Sequence, residues 1–461
     1  MQVILDKELI SRYGQTGPRY TSYPSAVNFH DGFSDSHYQH AVRHTNEELI
    51  PAPLSLYFHL PFCSRVCYYC ACNKIITRNR SRASPYLATL YQEIALQGAL
   101  FDHDRVVDQL HWGGGTPTFI SNEQMRELMA VIREHFTLHD DDTGEYSIEI
   151  DPREVRDDTI DVLRNIGFNR ISIGVQDFDP DVQKAVNRLQ SFEQTEQVIR
   201  AAREAGFHSV NVDLIYGLPK QSVKSFSETL ELLSDLNPDR IAVYNYAHLP
   251  TLFKTQRQIK EEELPAADVK LDILQHIINY LTANQYVYIG MDHFAKPDDE
   301  LARAQDRGDL HRNFQGYSTH ADCDIVGMGV TAISRIGDCY AQNTRTLEEY
   351  EQMVNSGRIP VVRGIELDDD DRLRRDVITS LICHFRLRFA DIEDNYHIDF
   401  ADYFHDELVT LGALEKDGLL TLESDAINVT PKGRLLIRNI CMVFDKYLQG
   451  GMNSNRFSKV I

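Results

Sequence analysis

LSLYFHLPFCSRVCYYCACNK, residues 54–74, joins a β-rich run to a loop carrying four cysteines in ten residues, Cys63, Cys67, Cys70 and Cys72. LSLYFHL (54–60) reads as a strand. The first three cysteines are spaced C-x3-C-x2-C, so three thiolates converge on one small inorganic object just past a strand end. A four-iron cluster held by Cys63, Cys67 and Cys70 keeps one iron without a protein thiolate and open to a cosubstrate. Cys72 either completes the set or points elsewhere, and its role stays open. A zinc site and a redox dithiol are the competing readings. Structural zinc ordinarily takes two ligand pairs separated by a segment, whereas Cys323, Cys339, Cys383 and Cys441 stand singly. Disulfides suit short secreted chains better than one of 461 residues.

Outward from this loop, β-rich runs alternate with helical stretches, the pattern of successive βα units on a parallel sheet. The strands are read at 54–60, 109–113, 146–150, 170–175, 209–217 and 240–246, with helices near 83–101, 121–136, 157–166, 192–206 and 222–236. Several helices open at Ser, Asn or Asp and close at Gly. Six units are too few for an eight-unit barrel, so the expected fold class is α/β, an open partial (β/α)6 TIM-like barrel. In such an architecture chemistry gathers at the carboxyl ends of the strands. The cysteine loop, GGGTP, Glu149, Gln176 and YGLP all fall on that rim. A doubly wound sheet is the alternative, but no G-x-G-x-x-G opens the first helix.

Residues 1–50, with RYGQTGPRYTSYPSA, read as an arm laid over another part of the molecule, and 51–364 as the catalytic domain. Residues 365–461 read as a smaller, mainly helical, winged-helix-like domain acting as a cover. The tail NSNRFSKVI is expected either to fold back or to be mobile. The net charge of −22 disfavours nucleic acid as a partner, because such binding draws on many Lys and Arg contacts to phosphate. No apolar run approaches the roughly twenty residues of a membrane span. MQVILDKELISRYG lacks the pattern of a secretory leader, so a cytoplasmic protein with reduced thiols is expected. No coiled-coil seam is visible, and a monomer is expected.

Gly113, Gly114 and Gly115 follow a strand, where glycine lets backbone approach a ligand without an intervening Cβ. A glycine run is equally often a tight turn. Glu149 ends a strand and suits a ribose hydroxyl or an ammonium group. Gln176, Arg188 and Asp213 lie on later strands or loops, and each alone is more ordinarily a surface or supporting residue. Tyr57 and Tyr69 flank the cysteines and would be core packing unless a planar ligand lies against them.

FHLPFCSRVCYYCACNK resembles the cysteine signature of the radical S-adenosylmethionine enzymes. GPRYTSYP, HWGGGTPT, SIEIDPRE, ISIGVQDF, VNVDLIYGLPKQ, YNYAHLP, IGMDHFAKPDDELA, HRNFQGY and GRLLIRNICM are similar to the oxygen-independent coproporphyrinogen III oxidase branch of that family, almost end to end. The resemblance implies that Cys63, Cys67 and Cys70 hold a [4Fe-4S] cluster whose open iron takes the amino and carboxyl groups of S-adenosylmethionine. It implies two such cosubstrates, the first at Tyr57, Gly113, Glu149 and Ile333, the second at Tyr69, Gly114, Gly115, Gln176, Arg188, Asp213 and Ala247. Two positions depart from the family pattern: Ala71 where glycine is common, and Tyr69 where phenylalanine is familiar. Alanine at 71 requires an ordinary backbone conformation there or some strain.

The implied reaction converts two propionates of coproporphyrinogen III to vinyl groups with loss of carbon dioxide, giving protoporphyrinogen IX for haem biosynthesis. A propionate C–H is neither acidic nor weak, which puts it beyond acid–base residues. The implied agent is a 5′-deoxyadenosyl radical from S-adenosylmethionine. An electron donor to the cluster and a final electron acceptor are implied as partners, with Glu149 and Cys72 as candidate catalytic groups. Arg19, Arg312 and His248 are candidates for binding the propionates, guanidinium suiting carboxylate by paired hydrogen bonds. Pairing with the many acidic side chains is the competing reading for each. The rivals are a related haem carrier, disfavoured by Cys72 and the arm, and a methyltransferase of the same branch, disfavoured by the arm and HRNFQGY.

Overall fold

The computed structural model describes residues 7–448 and residue 457. Apart from Phe457, the tail NSNRFSKVI lies outside the described residues. Six parallel strands stand side by side in chain order: β1 (Leu54–Leu60), β2 (Val106–Gly114), β3 (Glu145–Ile150), β4 (Arg170–Gln176), β5 (Ser209–Tyr216) and β6 (Arg240–Asn245). Their side chains alternate between two environments, as a period of two demands. On β4, Ile171, Ile173 and Val175 are buried against the outer helices, while Arg170, Ser172, Gly174 and Gln176 are only partly buried. The same alternation puts His111, Ser147, Glu149, Asn211 and Asp213 on the inner face, so the sheet curls around a polar interior. Helices Asn122–His135, Phe192–Glu204 and Val223–Leu236 each start at a serine, Ser121, Ser191 or Ser222, in a reciprocal capping box.

The sheet is wider than the six strands read from the sequence. Beyond β6 lie β7 (Val287–Gly290) and β8 (His293–Ala295), both antiparallel to their neighbours. A short hairpin, β9 (His311–Asn313) and β10 (Gly316–Ser318), lies within the curve of the sheet, where Gln109 Nε2 bonds Ser318 Oγ at 3.1 Å. On the other edge β11 (Asp324–Met328) pairs parallel to β1, followed by antiparallel β12 (Ile333–Ile336), β13 (Cys339–Asn343) and β14 (Val361–Glu366). Among the described residues β7 and β14 end the sheet and do not pair with each other, so it is open.

Residues of the N-terminal segment do more than overlie the rest. Tyr38 and Val42, on helix Asp35–Asn46, are fully buried in the main core, and Tyr38 Oη donates to Gln97 Oε1 at 2.9 Å. Tyr20 and Tyr23 belong instead to a second core, with Val377, Leu381, Phe404 and Ile440. That core gathers helices Asp369–His384, His405–Lys416 and Ile437–Val443 and the small sheet β15 (Arg386–Arg388), β16 (Leu420–Leu422) and β17 (Ala426–Val429). Ile289 joins it from the edge of the large sheet, and Leu310 and Tyr317 from the β9–β10 hairpin. The segment is thus shared between both cores. No helix among the described residues is long and apolar enough to cross a membrane.

Candidate active site

A cavity of about 280 Å³ opens at the carboxyl ends of β1 to β5. Cys63, Cys67, Cys70 and Cys72 enter it from the loop after β1. Opposite them lie Gly114, Gly115, Glu149, Gln176, Arg188 and Asp213, so residues from four further βα units meet Tyr69 and the cysteines at one mouth. Tyr57, Gly113, Ala247 and Ile333 are not part of this lining. Tyr57 stacks on His111 with ring centroids 5.9 Å apart, and its Oη lies 3.1 Å from His59 Nδ1. Ile333 is held beside Gly327, the partner of Tyr57 in the β1–β11 register. Gln256 ties the Ala247 carbonyl, at 3.2 Å, to that of Tyr69, at 3.1 Å.

The glycine run has a local cause. Gly115 N–H donates to Leu60 O and Thr116 N–H to Phe62 O, at 2.9 and 2.8 Å, which draws the end of β2 against the start of the cysteine loop. A Cβ on Gly115 would fall 2.7 Å from the Pro61 carbonyl carbon, and one on Gly114, whose φ is +115°, would fall 2.7 Å from the His59 ring. Ala71 is not among the residues of positive φ, so the loop takes an ordinary conformation there. Gln176 does adopt φ of +72°, a conformation costly for a residue with a Cβ and common where a site over-determines the backbone.

Charge is arranged around Cys67. Arg153 Nη2 and Arg188 Nη1 each lie 3.6 Å from its Sγ, and both guanidinium groups pair with Asp151, at 2.7 and 3.1 Å. Burial pushes the Asp151 carboxyl up, but the two arginines outweigh it and hold it down at about 2. Thr116 Oγ1 donates to Cys63 Sγ at 3.5 Å, and Lys74 Nζ to the Cys70 carbonyl at 2.8 Å. Glu149 lies deep in the molecule yet faces the cavity, its side chain 45% exposed. Burial alone would raise its carboxyl. His111, 3.5 Å away, and the Gly114 N–H, at 3.0 Å, lower it further than burial raises it, so Glu149 is an anion. Asp213 is raised to about 6 by burial and by the charge of Glu149, against hydrogen bonds from Ser172 and Asn211.

Asp151, Arg153, His111 and Lys74 are parts of this site that the sequence reading did not single out. Asp151 and Arg153 stand inside SIEIDPRE and His111 inside HWGGGTPT, so their place in those stretches was the available signal.

The donor set fits a cluster better than a single ion. Among the described residues, the one compact group of metal-type donors with ligand atoms all within 4.8 Å of one another is Asp108, His320 and Cys323, elsewhere in the molecule. The thiols of Cys63, Cys67 and Cys70 are thus spread wider than one tetrahedral zinc would hold them, as a cube of iron and sulfide requires. Arg188 Nε is buried beside them with no hydrogen-bond partner, a donor left for an anionic group in the cavity.

The propionate candidates separate. Arg19 forms an ion pair with Asp292. His248 is taken by Tyr246 Oη, 2.7 Å from its Nδ1, and by Glu261 at 3.4 Å. Arg312, on the β9–β10 hairpin, is 7% exposed, lies over the Tyr317 ring, and leaves Nε and Nη1 buried without partners. His293, edge-on to Tyr317, likewise has Nδ1 unpaired, and burial followed by the charges of Arg312 and Arg19 keeps that imidazole neutral.

Comparison with known proteins agrees with this geometry. The Radical SAM superfamily model matches residues 57–233, and that of the HemN C-terminal domain matches 367–436. Oxygen-independent coproporphyrinogen III oxidase of Pseudomonas aeruginosa is 52% identical over 456 residues, covering 99% of this chain and 98% of the relative. The protein of that name from Escherichia coli K12 is 53% identical over 460 residues, covering 100% and 99%. The solved structure of the E. coli coproporphyrinogen III oxidase HemN, described as a radical SAM enzyme, superposes with a TM-score of 0.91 at 52% identity, over 97% of this chain and 100% of that one. With identity and fold matched over nearly the whole length, the chain belongs to the oxygen-independent coproporphyrinogen III oxidases of the radical SAM superfamily.

Proposed function

We propose that the protein converts two propionates of coproporphyrinogen III to vinyl groups without oxygen, giving protoporphyrinogen IX. The observation carrying this reading is the single cavity in which three cysteines of one loop face Glu149, Arg188 and Asp213. Cys63, Cys67 and Cys70 would hold the [4Fe-4S] cluster. When bound, the cluster and S-adenosylmethionine supply a radical able to take hydrogen from an unactivated C–H bond. Glu149, anionic and backed by Gly114, binds hydroxyl or ammonium groups of the cosubstrate. Arg188, through its unpaired Nε, binds a carboxylate. Tyr57, Gly113 and Ile333 belong with Glu149 to a first cosubstrate position. Tyr69, Gly114, Gly115, Gln176, Arg188, Asp213 and Ala247 belong to a second. Cys72, beside Cys70, lies where it reaches the cavity without being needed as a ligand.

Arg312 supplies the propionate contact. Its unpaired nitrogens are buried, and a carboxylate is their natural complement. Loss of a hydrogen atom and of carbon dioxide from each propionate leaves one electron, which passes to an acceptor, and a separate donor reduces the cluster. The N-terminal segment and the C-terminal helices shield the reacting carbon, with Arg19 bringing the former against Tyr216 and Tyr244 at the ends of β5 and β6. The working unit is a monomer in the cytoplasm.

The test is anaerobic. The reconstituted protein is mixed with reductant, S-adenosylmethionine, coproporphyrinogen III and an extract supplying the acceptor, and the tetrapyrrole mass is followed. Loss of two carboxyl groups with 5′-deoxyadenosine formed alongside is expected. Cleavage of S-adenosylmethionine with an unchanged tetrapyrrole would overturn the reading.

A further inference from the structure

At the amino-terminal ends of the strands, the end of the sheet opposite the cysteine loop, three separate segments bring together an unusual set of side chains. Asp108 stands near the start of β2, His139 follows the short strand Thr137–Leu138, and His320 and Cys323 precede β11. Asp108, His320 and Cys323 present a carboxylate, an imidazole and a thiol whose ligand atoms all lie within 4.8 Å of one another. We propose that these three residues form a second metal site, for a zinc-type divalent ion, distinct from the cysteine cavity.

The surroundings are those of a ligand shell. His320 turns Nδ1 toward Asp108 Oδ2, at 3.9 Å, and Nε2 toward Glu145 Oε2, at 3.8 Å. A metal-bound imidazole commonly gives its second N–H to a carboxylate, and Glu145 stands in that place. The other oxygen of Asp108 is held by His139 Nε2 at 2.8 Å, which orients the carboxylate and leaves Oδ2 for the ion. Cys323 is 1% exposed, while Asp108 and His320 are each 28% exposed. The site thus has a buried anchor and an open side for entry. One thiolate, one imidazole and one carboxylate form a mixed set that suits zinc and not magnesium or calcium, which take oxygen ligands throughout. Tetrahedral bonds to sulfur and nitrogen put ligand atoms about 3.5 Å apart, a closure that small side-chain rotations supply. Arg335, which donates to the carbonyls of Ala321 and Cys323 at 3.0 and 3.1 Å, already fixes the backbone of this loop. An ion here would pin the segment leading into β11 to β2.

Zinc also binds vacant cluster cysteines, so the test uses the protein with its iron-sulfur cluster fully reconstituted. It is incubated with one equivalent of Zn2+, passed over a desalting column, and measured for zinc and iron content and by zinc K-edge absorption. One retained zinc per chain is expected, with a single sulfur neighbour at about 2.3 Å and the remainder nitrogen and oxygen. Cys323→Ser and His320→Ala are each expected to lower retention at least tenfold at unchanged iron content. No retained zinc, a shell with three sulfurs or none, or retention unaffected by both variants would overturn the proposal. The spectrum of the unaltered protein decides the matter even if a variant fails to fold.

Discussion

Arg188 holds Asp151 and Cys67 together: its Nη1 lies 3.1 Å from Asp151 Oδ2 and 3.6 Å from Cys67 Sγ, while Nη2 donates to the Gly174 carbonyl at 2.5 Å. One buried guanidinium thus joins the loop after β3, the cysteine loop and the inner face of β4. Lysine offers a point charge in place of this fork. Arg188→Lys is expected to weaken S-adenosylmethionine binding by about tenfold, and Arg188→Met by about a hundredfold, the range of one to two charge-assisted hydrogen bonds. Calorimetric titration on protein of matched iron content checks this. Wild-type affinity in both variants would show that Arg188 serves the protein frame alone.

Gly115 offers a sharper test of the frame. A Cβ there meets Pro61 and Phe62 backbone at 2.7 to 2.9 Å, and the hydrogen bonds from Gly115 and Thr116 prevent the two segments from parting. Gly115→Ala is expected to cost about 1–3 kcal/mol, as overpacking does, and to reduce iron incorporation. Gly412, on helix His405–Lys416, has no atom within 4 Å of an added Cβ. Gly412→Ala is expected to leave iron content unchanged and to raise stability by roughly 0.4–1 kcal/mol. Thermal unfolding and iron assays on the pair separate the two effects.

The six-strand reading succeeded because β3, β4 and β5 alternate cleanly, while β1, β2 and β6 are β-rich runs that recur at the spacing of βα units. β11 to β14 were missed for a physical reason. DIVGM in β11 and CYAQN in β13 are buried at every position, so no period of two marks them. The hairpin β9–β10 has three-residue strands, too short to carry a pattern. In the site, Glu149 and Asp213 were legible from their positions at or near strand ends. Neither the pairing of Arg153 with Asp151 nor the isolation of Arg312 was, because both depend on how the folded chain sets side chains against one another.

Glu93 predicts a pH dependence of stability. It is fully buried, and its carboxyl accepts from Gly329 N at 2.7 Å, Asn343 Nδ2 at 2.8 Å and Tyr350 Oη at 2.5 Å. Burial outweighs these bonds and raises the group from 4.5 to about 7. The folded protein therefore holds a proton that the unfolded chain releases, so the stability this group contributes is full below pH 4.5 and is lost as pH rises through about 7. Each pH unit between the two values is worth about 1.4 kcal/mol, which bounds the loss at about 3 kcal/mol. Glu93→Gln is expected to flatten the fall in melting temperature between about pH 5 and 8. An equally steep fall in the variant would place the titration on another group.

Arg312 links the fold to substrate choice. Buried guanidinium nitrogens without partners are costly in the free protein, and pairing with a propionate would relieve that cost. Arg19, already paired with Asp292, has less to gain from a carboxylate. Arg312→Lys is therefore expected to raise the KM for coproporphyrinogen III by about ten- to a hundredfold, the worth of a charged hydrogen bond. Affinity for S-adenosylmethionine and iron content should not change. Arg19→Lys is expected to shift KM by no more than about threefold, since a lysine retains the ion pair with Asp292. Anaerobic kinetics at saturating S-adenosylmethionine distinguish the two. Equal KM values for the wild type and the Arg312 variant would mean that the propionates are bound elsewhere, and that Arg312 only supports the packing of Tyr317.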